Sequence, residues 1–293
     1  MNREEECKTE NKGRAAGLDA GRVEIVEQRM LVPNLNLLTV HAPAVAAKIQ
    51  PGQFVILRVD EHSERMPLTV ADWDREAGTV SCVFMQVGTS THKLAARKPG
   101  DTLATFVGPL GRPLEMANFG TVVLSGGCYG IGSLFPAARE LKALGNKVIV
   151  VVEARSQFLL YWVEKFRPLA DEVIIATFDG SRPGRKTRGP EALATLLESG
   201  RSIDRILAIG CTFMMYETAK LTKPFGVKTI VSLNPIMIDG TGMCGACRVV
   251  VGGKRLFACV DGPDFDAHEI DWELLLSRRK PYLENEALSA ERR

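Results

Sequence analysis

Between about Gly21 and Leu114, apolar residues come in short runs: Arg22–Gln28, Leu37–His41, Gln53–Val59, Thr79–Gln86 and Asp101–Val107. Turn signals separate them at Pro33-Asn34, Pro51-Gly52, Ala77-Gly78 and Pro99-Gly100. Such runs, without a sustained helical period, predict strands, and their regular spacing predicts a small antiparallel barrel. One short helix is predicted at Ser90–Ala96, ahead of Pro99-Gly100.

From Gly120 the pattern changes. The wholly apolar strand Thr121–Leu124 runs into Ser125-Gly126-Gly127-Cys128-Tyr129-Gly130-Ile131-Gly132, and a helix is predicted over Leu134–Leu144, with Pro136 in its first turn and Gly145 closing it. Val148–Val152, Val173–Thr177 and Ile206–Ile209 read as further buried strands, with stretches of helical length at Leu159–Phe166, Pro190–Glu198 and Met214–Leu221. Alternating strands and helices predict a doubly wound parallel sheet. Beyond it, Val249–Val251 and Arg255–Cys259 flank Gly252-Gly253 as a hairpin, and Ile270–Leu276 reads as a terminal helix.

The expected fold is therefore β plus α/β. A flexible tail (1–20) leads into a barrel (21–116), an α/β nucleotide domain (117–233), a small loop-and-hairpin domain (234–272), and a helix with a tail (273–293). Composition fits globular domains, with 45% hydrophobic and 25% charged residues. A net charge of +2 with scattered basic residues gives no footprint for nucleic acid. No apolar run approaches the ~18 residues of a membrane span, and the polar start, with Glu4-Glu5-Glu6, lacks the apolar core of a signal peptide. Seven cysteines without such a signal favour thiols and metal ligands over disulfides, hence a cytoplasmic protein.

The candidate chemistry falls in three places. In the barrel, Arg65-Met66-Pro67-Leu68-Thr69 sets a cation and a hydroxyl beside a rigid proline, and Phe84-Met85-Gln86 leads into Gly88, Ser90 and Thr91, where a helix start offers N–H groups and hydroxyls to an anion. A surface arginine and a plain helix cap are the competing readings. In the second domain, Gly126, Gly127, Gly130, Ile131 and Gly132 form a strand–glycine loop–helix unit that can hold a pyrophosphate. Strand carboxyl ends, where ligands bind in such sheets, carry Glu153, Arg155, Asp179, Gly210 and Cys211. Cys211 reads either as packing or as a neighbour of a nicotinamide ring. Glu153 suits a ribose diol, whereas Arg155 and Ser156 suit a 2′-phosphate.

The third place is Asp239-Gly240-Thr241-Gly242-Met243-Cys244-Gly245-Ala246-Cys247, with Cys259 eleven intervening residues later. Plant-type [2Fe–2S] sites are spaced C-x₄-C-x₂-C…C, and only the first position differs here, being Asp239. Zinc held by three Cys and one Asp, in a non-catalytic interaction subunit, is the alternative.

Taken together, Pro67-Leu68-Thr69, Gly126-Gly127-x-x-Gly130-Ile131-Gly132, Gly210-Cys211 with Met214-Met215, and the loop ending Cys259-Val260-Asp261-Gly262-Pro263 resemble the electron-transfer subunit of dihydroorotate dehydrogenase, in the ferredoxin–NADP reductase superfamily. The resemblance implies FAD on the barrel, NAD(H) rather than NADP(H) on the second domain with Cys211 and Met214 near it, and a [2Fe–2S] cluster on Asp239, Cys244, Cys247 and Cys259. Two departures stand out. The superfamily arginine position is Met66, with arginine displaced to Arg65. Asp239 replaces the cysteine of the orotate branch, as in the small subunit of NADH-dependent ferredoxin:NADP oxidoreductases, also called sulfide dehydrogenase β subunits. That branch implies a larger flavin or iron–sulfur partner subunit, ferredoxin acting through the complex, and electron bifurcation. An orotate-linked subunit is the alternative within the family.

Overall fold

The computed structural model describes residues 23–181 and 187–278. The predicted N-terminal tail, with Cys7, and the predicted C-terminal tail beyond Arg278 lie outside the described residues.

Strands β1 (Val23–Val32), β2 (Leu35–His41), β3 (Phe54–Arg58), β4 (Met66–Asp74), β5 (Thr79–Met85), β6 (Thr102–Leu103) and β7 (Thr105–Leu110) form the barrel in the order β6-β1-β2-β5-β4-β3-β7. Its pairings are antiparallel, with register shifts in β1, β4 and β3 that bend the sheet round on itself. Helices α1 (Pro43–Ala46) and α2 (Thr89–Ala95) lie between strands. Alternation places Ile25, Leu38, Val40, Val55, Leu57, Val80 and Cys82 inside. The strand positions were legible from the apolar runs. The length of β4 was not, because its intermediate positions mix Pro, Leu and Thr.

A parallel sheet follows, built from β8 (Thr121–Gly127), β9 (Lys147–Ala154), β10 (Glu172–Thr177), β11 (Arg205–Ile209) and β12 (Lys228–Ser232). The order β10-β9-β8-β11-β12 makes the junction of β8 and β11 the switch point, where strand order reverses. Val148, Ile149, Val150, Val151 and Val152 are all fully buried, which suits a central strand covered on both faces. Each such side chain contributes roughly 1.5–3 kcal/mol of burial. Helix α3 (Gly130–Ala143) starts four residues earlier than the sequence pattern suggested, inside the glycine loop itself, so Pro136 lies in its second turn. The stretch expected as a helix over Leu159–Phe166 is instead a 3₁₀ turn (Gln157–Leu159) and one turn of helix, α4 (Val163–Phe166). Trp162 separates them in a left-handed conformation, with φ +58°. Helices α5 (Gly189–Glu198) and α6 (Thr212–Thr222) agree closely with the expectation.

The C-terminal hairpin pairs β13 (Arg248–Val251) with β14 (Lys254–Phe257). Cys259 does not sit on its second strand: the chain turns into α7 (Ala258–Asp261) first. Strand β15 (Asp264–Asp266) then adds antiparallel to β12, and α8 (Trp272–Ser277) ends the described chain.

Two cores weld these units. One joins barrel residues Leu35, Leu37, Ala71 and Val83 to Ile131, Leu134 and Phe135 of α3. The other joins Phe54 and Ile56 of the barrel to Met214, Met237, Cys247 and Cys259. Among the described residues no helix is long and apolar enough to cross a membrane.

Candidate redox and nucleotide site

A cavity of about 270 Å³ opens where barrel, α/β domain and C-terminal loop meet. Its barrel wall is Phe54, Pro67, Leu68, Thr69, Val83, Phe84, Met85, Val87 and Thr91, and its far wall is Tyr129, Leu233, Asn234, Pro235, Met237 and Pro263. Mostly apolar lining with a few directed polar groups suits a planar aromatic ligand. Met66 turns into the barrel core while the residues after it reach the cavity. Arg65 is exposed and lines no part of the cavity, and neither does Gln86.

The hydroxyls expected to greet an anion at α2 are already engaged. Thr91 Oγ1 accepts the Val87 and Gly88 N–H groups at 3.0 and 2.8 Å and donates to the Gly88 carbonyl. Ser90 donates to the Glu64 carboxylate at 3.0 Å. The two hydroxyls therefore serve an internal cap, and Val87 and Thr91 of this segment border the cavity.

A polar chain runs behind the far wall. Thr212 Oγ1 donates to Asn234 Oδ1 at 2.8 Å, Asn234 Nδ2 donates to the Tyr129 hydroxyl at 2.6 Å, and that hydroxyl donates to the Gly210 carbonyl at 3.0 Å. The wall of the cavity is thus tied to the end of β11, where Cys211 emerges. Tyr129, Asn234 and Thr212 carried no sequence signal, because their convergence is wholly tertiary.

At the switch point Gly126 pairs with Ile209, which brings Gly127 beside Gly210 and sets Cys128 and Cys211 at the exposed ends of adjacent strands. Cys211 caps α6, its sulfur accepting the Met214 N–H at 3.4 Å. Burial, then the charges of Cys211 and Glu153, push the Cys128 thiol up. Met214 itself is core: a Cβ on Gly210 would lie 2.5 Å from its sulfur. The glycine loop is tight for packing reasons. A Cβ at Gly130 would stand 2.0 Å from the Ile209 carbonyl oxygen, and one at Gly132 would stand 2.8 Å from Val83 of the barrel. The helix start is also partly occupied. Ile131 N–H donates to Cys128 O at 3.3 Å, and Gly132 N–H donates to the buried Tyr161 hydroxyl at 2.9 Å.

Along the same edge, Glu153 is buried, not offered to solvent. Its carboxylate accepts the Gly189 N–H at 2.5 Å and lies against Gly127, so it clamps the start of α5 to the glycine loop. Burial raises its carboxyl, partly opposed by that N–H and by Arg188. Arg155 is exposed. Asp179 is held down to about 2, chiefly by the Ser156 hydroxyl and then by Ser181.

In the C-terminal loop the four predicted ligands fall into two pairs. Asp239 accepts the Thr241 N–H at 2.9 Å and the Cys244 N–H at 2.8 Å, contacts that hold its carboxyl below the usual range. Cys247 Sγ accepts the Cys259 N–H at 3.5 Å. Cys247 and Cys259 are buried, whereas Cys244 is exposed beside Met243, which is 89% exposed. Burial, then Cys247, push the Cys259 thiol up to about 12, against the Gly242 N–H. Such a thiol ionises only in exchange for a strongly bound cation. Gly240, at φ +75°, presses on the barrel, where its Cβ would meet Ile56 and Leu110. Among the described residues no three such side chains converge on one point as ligands of a single ion would. A binuclear cluster takes its ligands two to each iron, and three thiols with a carboxylate form a donor set of the right chemistry for it.

Residues 234–271 match the iron–sulfur cluster binding domain of dihydroorotate dehydrogenase B. The chain is 45% identical to a Thermotoga maritima protein named dihydroorotate dehydrogenase B (NAD(+)), electron transfer subunit homolog, over 92% of this chain and 94% of that one. It belongs to the dihydroorotate dehydrogenase B electron-transfer subunit family. The electron transfer subunit of Desulforamulus reducens is 31% identical over 83% of this chain and 95% of its own length. A chain of an NADH-dependent reduced ferredoxin–NADP oxidoreductase, solved for insight into flavin-based electron bifurcation, is 42% identical with a TM-score of 0.85, covering 92% of this chain and 97% of that one. A ferredoxin NADP+ reductase from Neisseria gonorrhoeae with bound FAD and NADP shares the fold alone, at 16% identity and a TM-score of 0.58 over 70% of this chain and 91% of that one. As an electron-transfer subunit of this family, the protein carries its iron–sulfur segment on the same core as the barrel cavity, through Phe54 and Met237.

Proposed function

We propose that this chain is the FAD- and [2Fe–2S]-carrying electron-transfer subunit of an NADH-dependent ferredoxin:NADP oxidoreductase, passing electrons between NAD(H) and a larger flavin or iron–sulfur subunit. When bound, FAD would exchange a hydride with the nicotinamide, and the cluster would move electrons singly. Pro67, Leu68, Thr69, Phe84 and Met85 would hold the flavin ring against the barrel. Tyr129 and Asn234 would fix the nucleotide-facing wall and, through Gly210, the position of Cys211. Asp239, Cys244, Cys247 and Cys259 would hold the cluster, with the Gly242 N–H supporting the charge on the Cys259 sulfur. Cys244 and Met243, exposed at the loop tip, would form the side nearest the partner. No side chain is assigned a proton-transfer role, because hydride and electron transfer ask the protein to orient and tune rather than to act as acid or base.

Asp239 carries the choice of branch. A carboxylate is a harder ligand than a thiolate and shifts cluster charge and potential. The names of several relatives favour an orotate-linked subunit instead, but that branch resemblance has cysteine at this position. The iron–sulfur match over 234–271 speaks against the zinc-stabilised alternative. Six described thiols are unpaired, which supports a reducing, cytoplasmic setting.

The visible spectrum of the purified chain, with rates of flavin bleaching by NADH and NADPH, tests the proposal. Flavin bands over a sulfide-to-iron envelope, bleached faster by NADH, are expected. A colourless protein, or a strong NADPH preference, contradicts it. Copurification with an orotate-producing subunit would assign the other branch.

A further inference from the structure

Any dinucleotide laid along the carboxyl edge of this sheet brings a pyrophosphate, and the glycine loop is poorly equipped to neutralise it. The Ile131 and Gly132 N–H groups at the start of α3 are already taken by Cys128 O and Tyr161. Residues 126–132 include no cation. Glu153, beside Gly127, adds negative charge. A phosphate-binding cation must come from another element.

Arg188 stands in the right place. It is the residue before α5, whose first N–H is clamped by Glu153 against Gly127, so its backbone is fixed to the glycine loop. Its guanidinium lies 5.3 Å from the Phe178 ring centroid and 5.5 Å from that of Phe213, the first rising from the end of β10 and the second from the first turn of α6. Aromatic contacts of this kind hold an arginine in place while satisfying none of its N–H donors. Its Nε is buried with no hydrogen-bond partner. The nearby carboxylates leave it so: the charge on Glu153 is felt, and Glu191 accepts only the Arg188 backbone N–H, at 3.0 Å. A buried donor without a partner is costly unless a ligand completes it. Among the described residues at this edge, Arg155 is exposed.

We propose that Arg188 binds a phosphate group of the nicotinamide dinucleotide, with Phe178 and Phe213 as its clamp and Glu153 as the positioning residue of its helix start. This rests on the reading of the α/β domain as the NAD(H) site. The pyrophosphate is the nearer source of that phosphate, since Glu153 ties Arg188 to Gly127; a 2′-phosphate offers the same chemistry.

The test uses the FAD-loaded full chain and two ligands that transfer no hydride, ADP-ribose and 2′-phospho-ADP-ribose, titrated calorimetrically. Arg188→Ala should weaken ADP-ribose about ten- to a hundredfold. Arg188→Lys should recover part of that loss, and flavin content should stay unchanged in both variants. A loss confined to the 2′-phosphorylated ligand would keep the phosphate assignment and place it on the ribose. Wild-type affinity for both ligands in Arg188→Ala would overturn the proposal. A wild-type chain that binds neither ligand would overturn instead the nucleotide-site reading on which it rests.

Discussion

The Tyr161 hydroxyl accepts the Gly132 backbone N–H at 2.9 Å while donating to the Cys128 carbonyl at 2.9 Å. A side chain from beyond β9 therefore occupies the helix start that the glycine loop would otherwise present to a ligand. It also locks Cys128, whose φ of +52° is rare for a residue with a side chain, in place. Tyr161→Phe keeps the ring and strands both partners, which predicts a loss of about 1–3 kcal/mol in unfolding free energy, read by urea denaturation. An unchanged midpoint would mean that water replaces the hydroxyl there.

Asn234 joins Thr212 to Tyr129 at the back of the cavity wall. Removing it should let Tyr129 and the Gly210–Cys211 turn shift while leaving the barrel wall of the cavity in place. Asn234→Ala is expected to bind FAD normally and to be reduced by NADH about tenfold more slowly in stopped-flow experiments, because small misplacements of reacting groups cost that much or more. A wild-type rate would show that the chain of hydrogen bonds is not what positions the turn.

Asp264 lies in register with Ser232 at the junction of barrel and sheet, with both carboxyl oxygens sealed from solvent. Burial raises it to about 7 from 3.8, and the neighbouring Ser232 hydroxyl offsets only part of this. Below the unfolded value both states hold the proton and no penalty arises. Above it only the folded state does, so stability falls as pH rises and levels off above about 7. Asp264→Asn removes the titration. Between pH 5 and pH 8 the wild type should lose on the order of 2–3 kcal/mol relative to the variant, measured by chemical denaturation at both values. Parallel behaviour of the two proteins would contradict this account of the junction.

Much of this was legible because it is local. Val148–Val152 could only be a buried strand, and the strand–Gly126-Gly127–helix order could only be an α/β unit. The spacing of Cys244, Cys247 and Cys259 marked a candidate ligand loop, with Asp239 at the remaining position. What could not be read is what other elements do to these residues. Gly130 and Gly132 appeared as ligand glycines, yet their missing side chains make room for Ile209 and Val83. Glu153 appeared as a ribose acceptor at a strand end, yet it is turned inward onto Gly189. Met66 turns into the core, away from the cavity its neighbours line. Arg188 had no motif, and only the approach of Phe178 and Phe213 from two other elements singles it out.

The cluster loop allows two roles for Asp239: a ligand to iron, or only an acceptor for the Thr241 and Cys244 N–H groups. Asparagine at this position keeps a carbonyl oxygen for those N–H groups and removes the anionic ligand. Electron paramagnetic resonance of the reduced, flavin-loaded chain separates the two directly. Asp239→Asn is expected to lose the [2Fe–2S] signal or alter it strongly while FAD content is unchanged, and Asp239→Cys to retain a cluster with a shifted potential. An Asp239→Asn spectrum and potential identical to the wild type would contradict the ligand role.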